Sequence, residues 1–278
     1  MAIKLMYITN RPEIAEIAES VGVDRIFVDM EYIGKEERQP GDTVKSHHTF
    51  EDISTIRRTI KNAELLVRIN PVHEKSAEYY GSEREIDEAI ERGADIIMLP
   101  YFKTVAEAKF FLSYVGGRAK TMLLVETPEA VDLIDELLVL DGIDEIYIGL
   151  NDLSIGYKRK FMFEVLADGT VEKICLKIRK TGIPYGFGGL ASLEKGMIPG
   201  RMVLKEHYRL GSTSVILSRS FCNSERITEI EAISAIFNSE VKRIREYEER
   251  CEEHARYFNE NRIEMIAAID EIVGAKNK

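Results

Sequence analysis

The sequence predicts a (β/α)8 TIM barrel with additional C-terminal helices, and three observations carry that expectation. Eight short aliphatic or β-branched runs recur at a mean pitch of about 30 residues, helical periodicity fills the intervals, and polar residues gather where the runs end. The chain of 278 residues exceeds what such a barrel typically needs, about 250. A doubly wound open sheet is the alternative that the same alternation permits.

The first run, Ile3 to Ile8, is followed by the helical pattern Pro12-Glu-Ile-Ala-Glu-Ile-Ala-Glu-Ser-Val. Arg25 to Met30 is the second and Leu65 to Ile69 the third; the helical pattern Glu85-Ile-Asp-Glu-Ala-Ile-Glu-Arg then leads into Asp95 to Leu99. Thr121 to Val125, Glu145 to Ile148, Ile183 to Phe187 and Thr213 to Leu217 complete the set. Gly22, Gly93, Gly142 and Gly182 each stand just before a run, where a helix C-cap needs a left-handed residue, and belong to the stability face of a barrel. From about Ser224 to Val273 the chain turns charged, helical and almost free of glycine, with Ile227, Ile230, Ile233, Ile236 and Phe237 on one stripe. Residues 1–223 are therefore expected to form the barrel core. Residues 224–278 are expected to complete it and to pack across subunits of a homo-oligomer.

The formal net charge of -10 argues against a nucleic-acid partner, which calls for a basic face, and leaves small anionic substrates to a local pocket. No stretch reaches the roughly 18 apolar residues of a membrane span, and the N-terminus runs straight into a strand without a signal pattern, so a cytoplasmic protein is expected. Cys175, Cys222 and Cys251 are scattered and odd in number, which suggests neither a disulfide framework nor a zinc site.

In a barrel the chemistry gathers at the C-terminal ends of the strands. Glu126 ends the run Met122-Leu-Leu-Val, and Asp152 follows Ile146-Tyr-Ile-Gly149-Leu150-Asn151. On parallel neighbours these carboxylates open onto one rim, where they either hold a divalent cation through oxygen ligands or merely cap the helices that follow. Alternation puts Leu66, Arg68 and Asn70 on one face of the third run. Arg68 is thus either a salt-bridge partner of Asp29 or Glu31, or a fork for a carboxylate, phosphate or enolate oxygen.

The seventeen residues between Glu31 and Thr49 form a long rim loop, with His48 as a candidate base or a residue of the helix-capping region. His47 reads as surface. Arg38 and Lys45 read as solvated charges or as contacts to an anionic tail. Gly186-Phe187-Gly188-Gly189 and Ser218-Arg219-Ser220 stand where barrels often bind phosphate, although a turn needing positive φ explains the glycines as well. His73 reads as a bystander on the rim.

Taken together, Val67-Arg68-Ile69-Asn70, Gly93-Ala-Asp-Ile-Ile-Met-Leu-Pro100, Val125-Glu126-Thr127-Pro-Glu-Ala130 and Gly149-Leu150-Asn151-Asp152-Leu-Ser154 resemble the HpcH/HpaI aldolase and citrate lyase beta-subunit family over roughly residues 20 to 220. The resemblance implies a phosphoenolpyruvate/pyruvate-type barrel in which Glu126 and Asp152 ligate Mg²⁺, or Mn²⁺ or Co²⁺. It further implies that the backbone around Gly149, Leu150, Asn151 and Asp152 binds the carboxylate of a small 2-oxo acid, and that Arg68 stabilises the enolate oxygen. Aldolases of the family read Asp-x-Glu-His on the second strand, where this chain has Asp29-Met-Glu31-Tyr32. Asp29 keeps its orienting role in that pattern and Glu31 its place beside metal-bound water, but the base is replaced. Tyr32, with an ordinary pKa near ~10, is a poor base unless a cation lowers it. The activity expected is a divalent-metal-dependent carbon–carbon lyase or aldolase. The alternatives are a citrate-lyase-like acyl-CoA lyase and a noncatalytic metal- or ligand-binding barrel.

Overall fold

The computed structural model describes residues 2–38, 47–251 and 255–276. Its eight strands are β1 (Lys4–Ile8), β2 (Arg25–Asp29), β3 (Glu64–Arg68), β4 (Ile96–Leu99), β5 (Lys120–Val125), β6 (Glu145–Ile148), β7 (Tyr185–Leu190) and β8 (Ser214–Leu217). All pair in parallel with their sequence neighbours, and β8 returns to β1, so the sheet closes into a barrel. Closure excludes the open doubly wound alternative.

The helices between β1 and β5 are α1 (Pro12–Ser20), α2 (Lys35–Arg38), α3 (Phe50–Thr59), α4 (Ser82–Glu91) and α5 (Val105–Val115). Then come α6 (Pro128–Asp132), α7 (Ile134–Leu137), α8 (Leu150–Gly156), α9 (Glu164–Ala167), α10 (Thr170–Arg179) and α11 (Gly200–Leu210). The chain ends with α12 (Ile230–Cys251) and α13 (Ala255–Lys276). Helix α12 packs against α1 and α11 and so closes the helical ring, burying Ile233, Phe237, Val241 and Ile244. Helix α13 lies on α11 and α9 of its own barrel, with Met265 and Ile269 buried and Ile263 on the opposite face 70% exposed.

Strand alternation sorts the apolar residues into two layers. Ile26, Val28, Leu65 and Val67 face the helices, whereas Met6, Phe27, Leu66, Met98, Leu124 and Tyr147 fill the barrel itself. Inward positions of β2 read Arg25, Phe27, Asp29, and those of β3 read Glu64, Leu66, Arg68; the register pairs them rung by rung. The interior is therefore ionic at the N-terminal end, apolar in the middle and ionic again at the rim. At the N-terminal end the Arg25 guanidinium is fully buried, donates to both oxygens of Glu145 and reaches Glu64 at 2.8 Å.

Strand β7 runs to Leu190, beyond the expected Phe187, and its register with β8 slips between Gly186 and Gly189. The wedge is Tyr147, whose hydroxyl donates to the Gly188 carbonyl at 2.6 Å and accepts from the Ile216 amide at 2.9 Å. A Cβ at Gly186 would come within 2.6 Å of the Tyr147 ring, and one at Gly188, where φ is 58°, within 2.6 Å of Leu150. The glycines thus answer a packing demand as well as a conformational one.

Candidate active site

A cavity of about 720 Å³ opens at the C-terminal rim, lined by Asp29, Lys35, His48, Arg68, Glu126 and Asp152 among others. It extends across the barrel mouth to Arg11, Ser218, Arg219 and Ser224 on the β8 and β1 side. Gly149, Leu150, Asn151 and Gly188 also border it, whereas Glu31 lies buried behind the wall and Tyr32 does not line it.

Glu126 is placed by the end of β5 and is not the cap of the helix that follows. Thr127 takes that role, its side chain accepting from the Ala130 amide and donating to the Phe102 carbonyl. The Glu126 carboxylate accepts instead from the Tyr101 amide at 3.1 Å, and only a glycine at 149 leaves it room, since a Cβ there would lie 2.6 Å from its Oε2. Asp152 sits in the first turn of α8, 5% exposed, and does not act as the N-cap, a place taken by Gly149. Burial, and then the charges of Asp152 and Glu31, push the Glu126 carboxyl well above the ordinary carboxylate range.

Across the cavity Asp29 is a hub. Its oxygens accept from Arg68 Nε and Nη2, both at 2.8 Å, and from Lys35 Nζ at 2.7 Å. Burial works to raise this carboxyl, yet Arg68 and Lys35 hold it well below the usual carboxylate range. Glu31, fully buried, takes a hydrogen bond from Arg38 Nη2 on one oxygen. Its other oxygen stands 3.5 Å from Lys35 and 3.4 Å from Arg68 and has no hydrogen-bond donor. The Arg38 guanidinium lies 3.7 Å over the Tyr101 ring, so it is not a solvated charge. Tyr101 itself adopts φ 47°, a strained conformation for a non-glycine residue. That turn aims its amide at Glu126 and its ring under Arg38.

The two readings of Arg68 therefore merge: one edge of its guanidinium is bound to Asp29 while the residue borders the cavity. Asn70 belongs to the scaffold. It accepts from the amides of Tyr32 and Ile33 and donates to Glu85, anchoring the start of the loop after β2. Tyr32 stacks near His47, and burial followed by the charge of Asp29 pushes its phenol up to about 12. Thr49 caps α3 with Asp52 in a reciprocal capping box, so His48 is free of capping duty and is 6% exposed. Arg219 borders the cavity at its β8 side, 3.7 Å from Glu225, and His73 is held by backbone carbonyls of Pro71 and Tyr80. Lys45 lies outside the described residues.

Lys35 was not legible as a site residue. Lys35 stands four residues after Glu31, a spacing that puts a cation beside a carboxylate, but its sequence neighbours Glu36, Glu37 and Arg38 mask that signal. Among the described residues no group of three or more His, Cys, Asp and Glu side chains is arranged to hold a metal ion, and no helix is long and apolar enough to cross a membrane.

A family model described as HpcH/HpaI aldolase/citrate lyase matches residues 4–195. The comparison with curated proteins gives no match. Among solved structures, an HpcH/HpaI aldolase from Desulfitobacterium hafniense DCB-2 superposes with a TM-score of 0.60 at 18% identity, covering 88% of this chain and 93% of that one. An HpcH/HpaI aldolase/citrate lyase family protein from Burkholderia cenocepacia J2315 gives 0.61 at 13% identity, covering 80% and 91%. The citrate synthase SbnG gives 0.60 at 15% identity, covering 81% and 89%. At these identities the structural matches show a shared barrel fold.

Proposed function

Because the chain belongs to the HpcH/HpaI aldolase/citrate lyase family, we propose that its rim cavity cleaves or forms the carbon–carbon bond between C3 and C4 of a small anionic 2-oxo acid, with a divalent cation held by Glu126 and Asp152. One observation supports the cation: a buried carboxylate at the rim is pushed up by neighbouring negative charge, which a bound cation would reverse. The Glu126 carboxyl is driven toward its protonated form by burial and by the charges of Asp152 and Glu31, and one Glu31 oxygen has no donor. A pair of carboxylates rather than a larger cluster suits a hard cation such as Mg²⁺, which keeps several waters and leaves positions for substrate oxygens.

A divalent cation bound there would draw charge onto the oxygens of the oxo acid, so that bond cleavage or formation at C3 can pass through an enolate. Arg68 supplies fixed positive charge on the facing wall, and Asp29 holds that guanidinium in place, remaining an anion itself. The backbone around Asn151 and Asp152 is the carboxylate site that the family resemblance implies. The cavity exceeds what a three-carbon acid fills, and its β8 and β1 wall, with Arg11 and Arg219, offers room for the second reactant or the far end of the substrate.

Calorimetric titration with Mg²⁺ and Mn²⁺ tests the cation site, and undiminished Mn²⁺ binding by Glu126→Gln would sink it. Exchange of the C3 protons of pyruvate in deuterated water tests the chemistry. Exchange that requires the cation supports the lyase reading. Bound cation and bound pyruvate without exchange would favour the noncatalytic barrel.

A further inference from the structure

The group that replaces the missing family histidine is addressed by the hydrogen bonds around Asp29. While the Asp29 carboxylate gathers Arg68 and Lys35, its backbone amide donates to His48 Nδ1 at 2.9 Å. An amide N–H can only donate, so Nδ1 presents its lone pair and, in the neutral ring, the hydrogen sits on Nε2. The ring is 6% exposed and borders the cavity, and Nδ1 is occupied. Nε2–H is thus the donor that the ring has left for a ligand.

We propose that His48 is a catalytic residue acting as a fixed hydrogen-bond donor: Nε2–H binds the substrate oxygen on which negative charge grows, and the ring does not act as the base. Accepting a proton would require Nδ1 to give up the Asp29 amide. Burial disfavours the charged ring and, joined by Lys35 and Arg68, outweighs Asp29 and Asp52, so the imidazole is held below its ordinary pKa and neutral at neutral pH. A neutral imidazole is a strong donor to a developing oxyanion and is not consumed by protonation. His48 and Arg68 are then two donors organised by one residue, facing the carboxylate pair across the same cavity. The oxygen served by His48 rests on the enolate reading above, whereas the tautomer does not.

Two measurements separate these layers. In protein labelled with ¹⁵N-histidine, long-range ¹H–¹⁵N correlations are expected to show His48 as the neutral Nε2–H tautomer at about pH 7 to 8, with any titration lying below the ordinary histidine value. Addition of Mg²⁺ and oxalate, a planar mimic of the enolate of pyruvate, is expected to move the Nε2–H proton downfield. An Nδ1–H tautomer, a ring that titrates at or above the ordinary value of about 6.5, or an unmoved proton with oxalate bound overturns the assignment. Failure of oxalate to bind at all counts against the functional reading, and the tautomer still judges the donor geometry. In pyruvate exchange, His48→Ala is expected to lose about a hundredfold, while His48→Gln, which keeps an N–H, stays within about tenfold and keeps the pH profile. Equal losses in the two variants, or an acid limb that disappears in His48→Gln, would show a base instead.

Discussion

At the N-terminal end of the barrel interior, Arg25 grips Glu145 and Glu64 while Lys120 and Lys4 approach the same two carboxylates; at the C-terminal end, Lys35, Arg38 and Arg68 pair with Asp29 and Glu31, beside Glu126 and Asp152. The register makes the two ends mirror images on β2 and β3, with Arg25 beside Glu64 below and Asp29 beside Arg68 above. They differ in balance. Below, every carboxylate has a full partner, and against burial the hydrogen bonds of Lys120 and Arg25 hold Glu64 down at about 2. Above, burial and the charges of Asp152 and Glu31 push Glu126 up. The lower cluster favours the ionised form of its carboxylate, whereas the upper one disfavours that of Glu126.

The sharpest way to break this contrast is at its lower end. Arg25→Ala leaves the buried Glu145 without its partner and is expected to cost about 3–5 kcal/mol of stability, whereas Arg25→Met, which fills the space, is milder in that respect only if Glu145→Gln accompanies it. Denaturant unfolding measures both, and Mn²⁺ affinity should be unchanged in whichever variant folds. At the upper end Glu126→Gln is expected to do the reverse. It should weaken Mn²⁺ about a hundredfold, roughly 2.7 kcal/mol by the affinity relation, while raising Tm in chelator-treated protein. A Tm that falls as in Arg25→Ala would erase the distinction between the two ends.

A smaller effect is expected at the wedge between β6, β7 and β8. Tyr147→Phe leaves the Ile216 amide and the Gly188 carbonyl without their shared partner and should cost about 1–2 kcal/mol, read by the same unfolding curves. The pH dependence of Tm in chelator is the finest probe, and the two ends give opposite signs. Glu64 titrates below its unfolded value, so its contribution is present above the ordinary carboxylate pKa of about 4.3 and is lost as pH falls toward about 2. Glu126 titrates above its unfolded value, so the folded protein holds the extra proton and stability falls as pH rises from about 4.3 toward its elevated pKa. Glu126→Gln should flatten the second slope and leave the first.

The barrel was legible because its strands are short, aliphatic and evenly pitched, and Arg68 could be turned inward from alternation with Leu66 alone. Glu126 and Asp152 were legible as a pair because both follow strand runs. What escaped depends on contacts between distant segments. Gly186, Gly188 and Gly189 look like a strand terminus with phosphate-binding potential until Tyr147 from the preceding strand is seen to reach between them. Lys35 and Arg38 look like solvated charges because nothing local says that the short helix turns them toward Asp29 and Glu31. His48 sits beside a capping box, and only the amide of Asp29, nineteen residues away, fixes which of its nitrogens carries the hydrogen.

Tyr101 combines a backbone cost with a ring contact to Arg38 that no smaller residue reproduces. A left-handed φ in a residue with a Cβ costs about 1–2 kcal/mol, which glycine would recover. Glycine would also release the Arg38 guanidinium from the ring beneath it. Under selection for heat tolerance alone, position 101 should drift to glycine or asparagine; under selection for turnover it should stay aromatic. A library at this one codon, sorted separately for the two traits, would diverge.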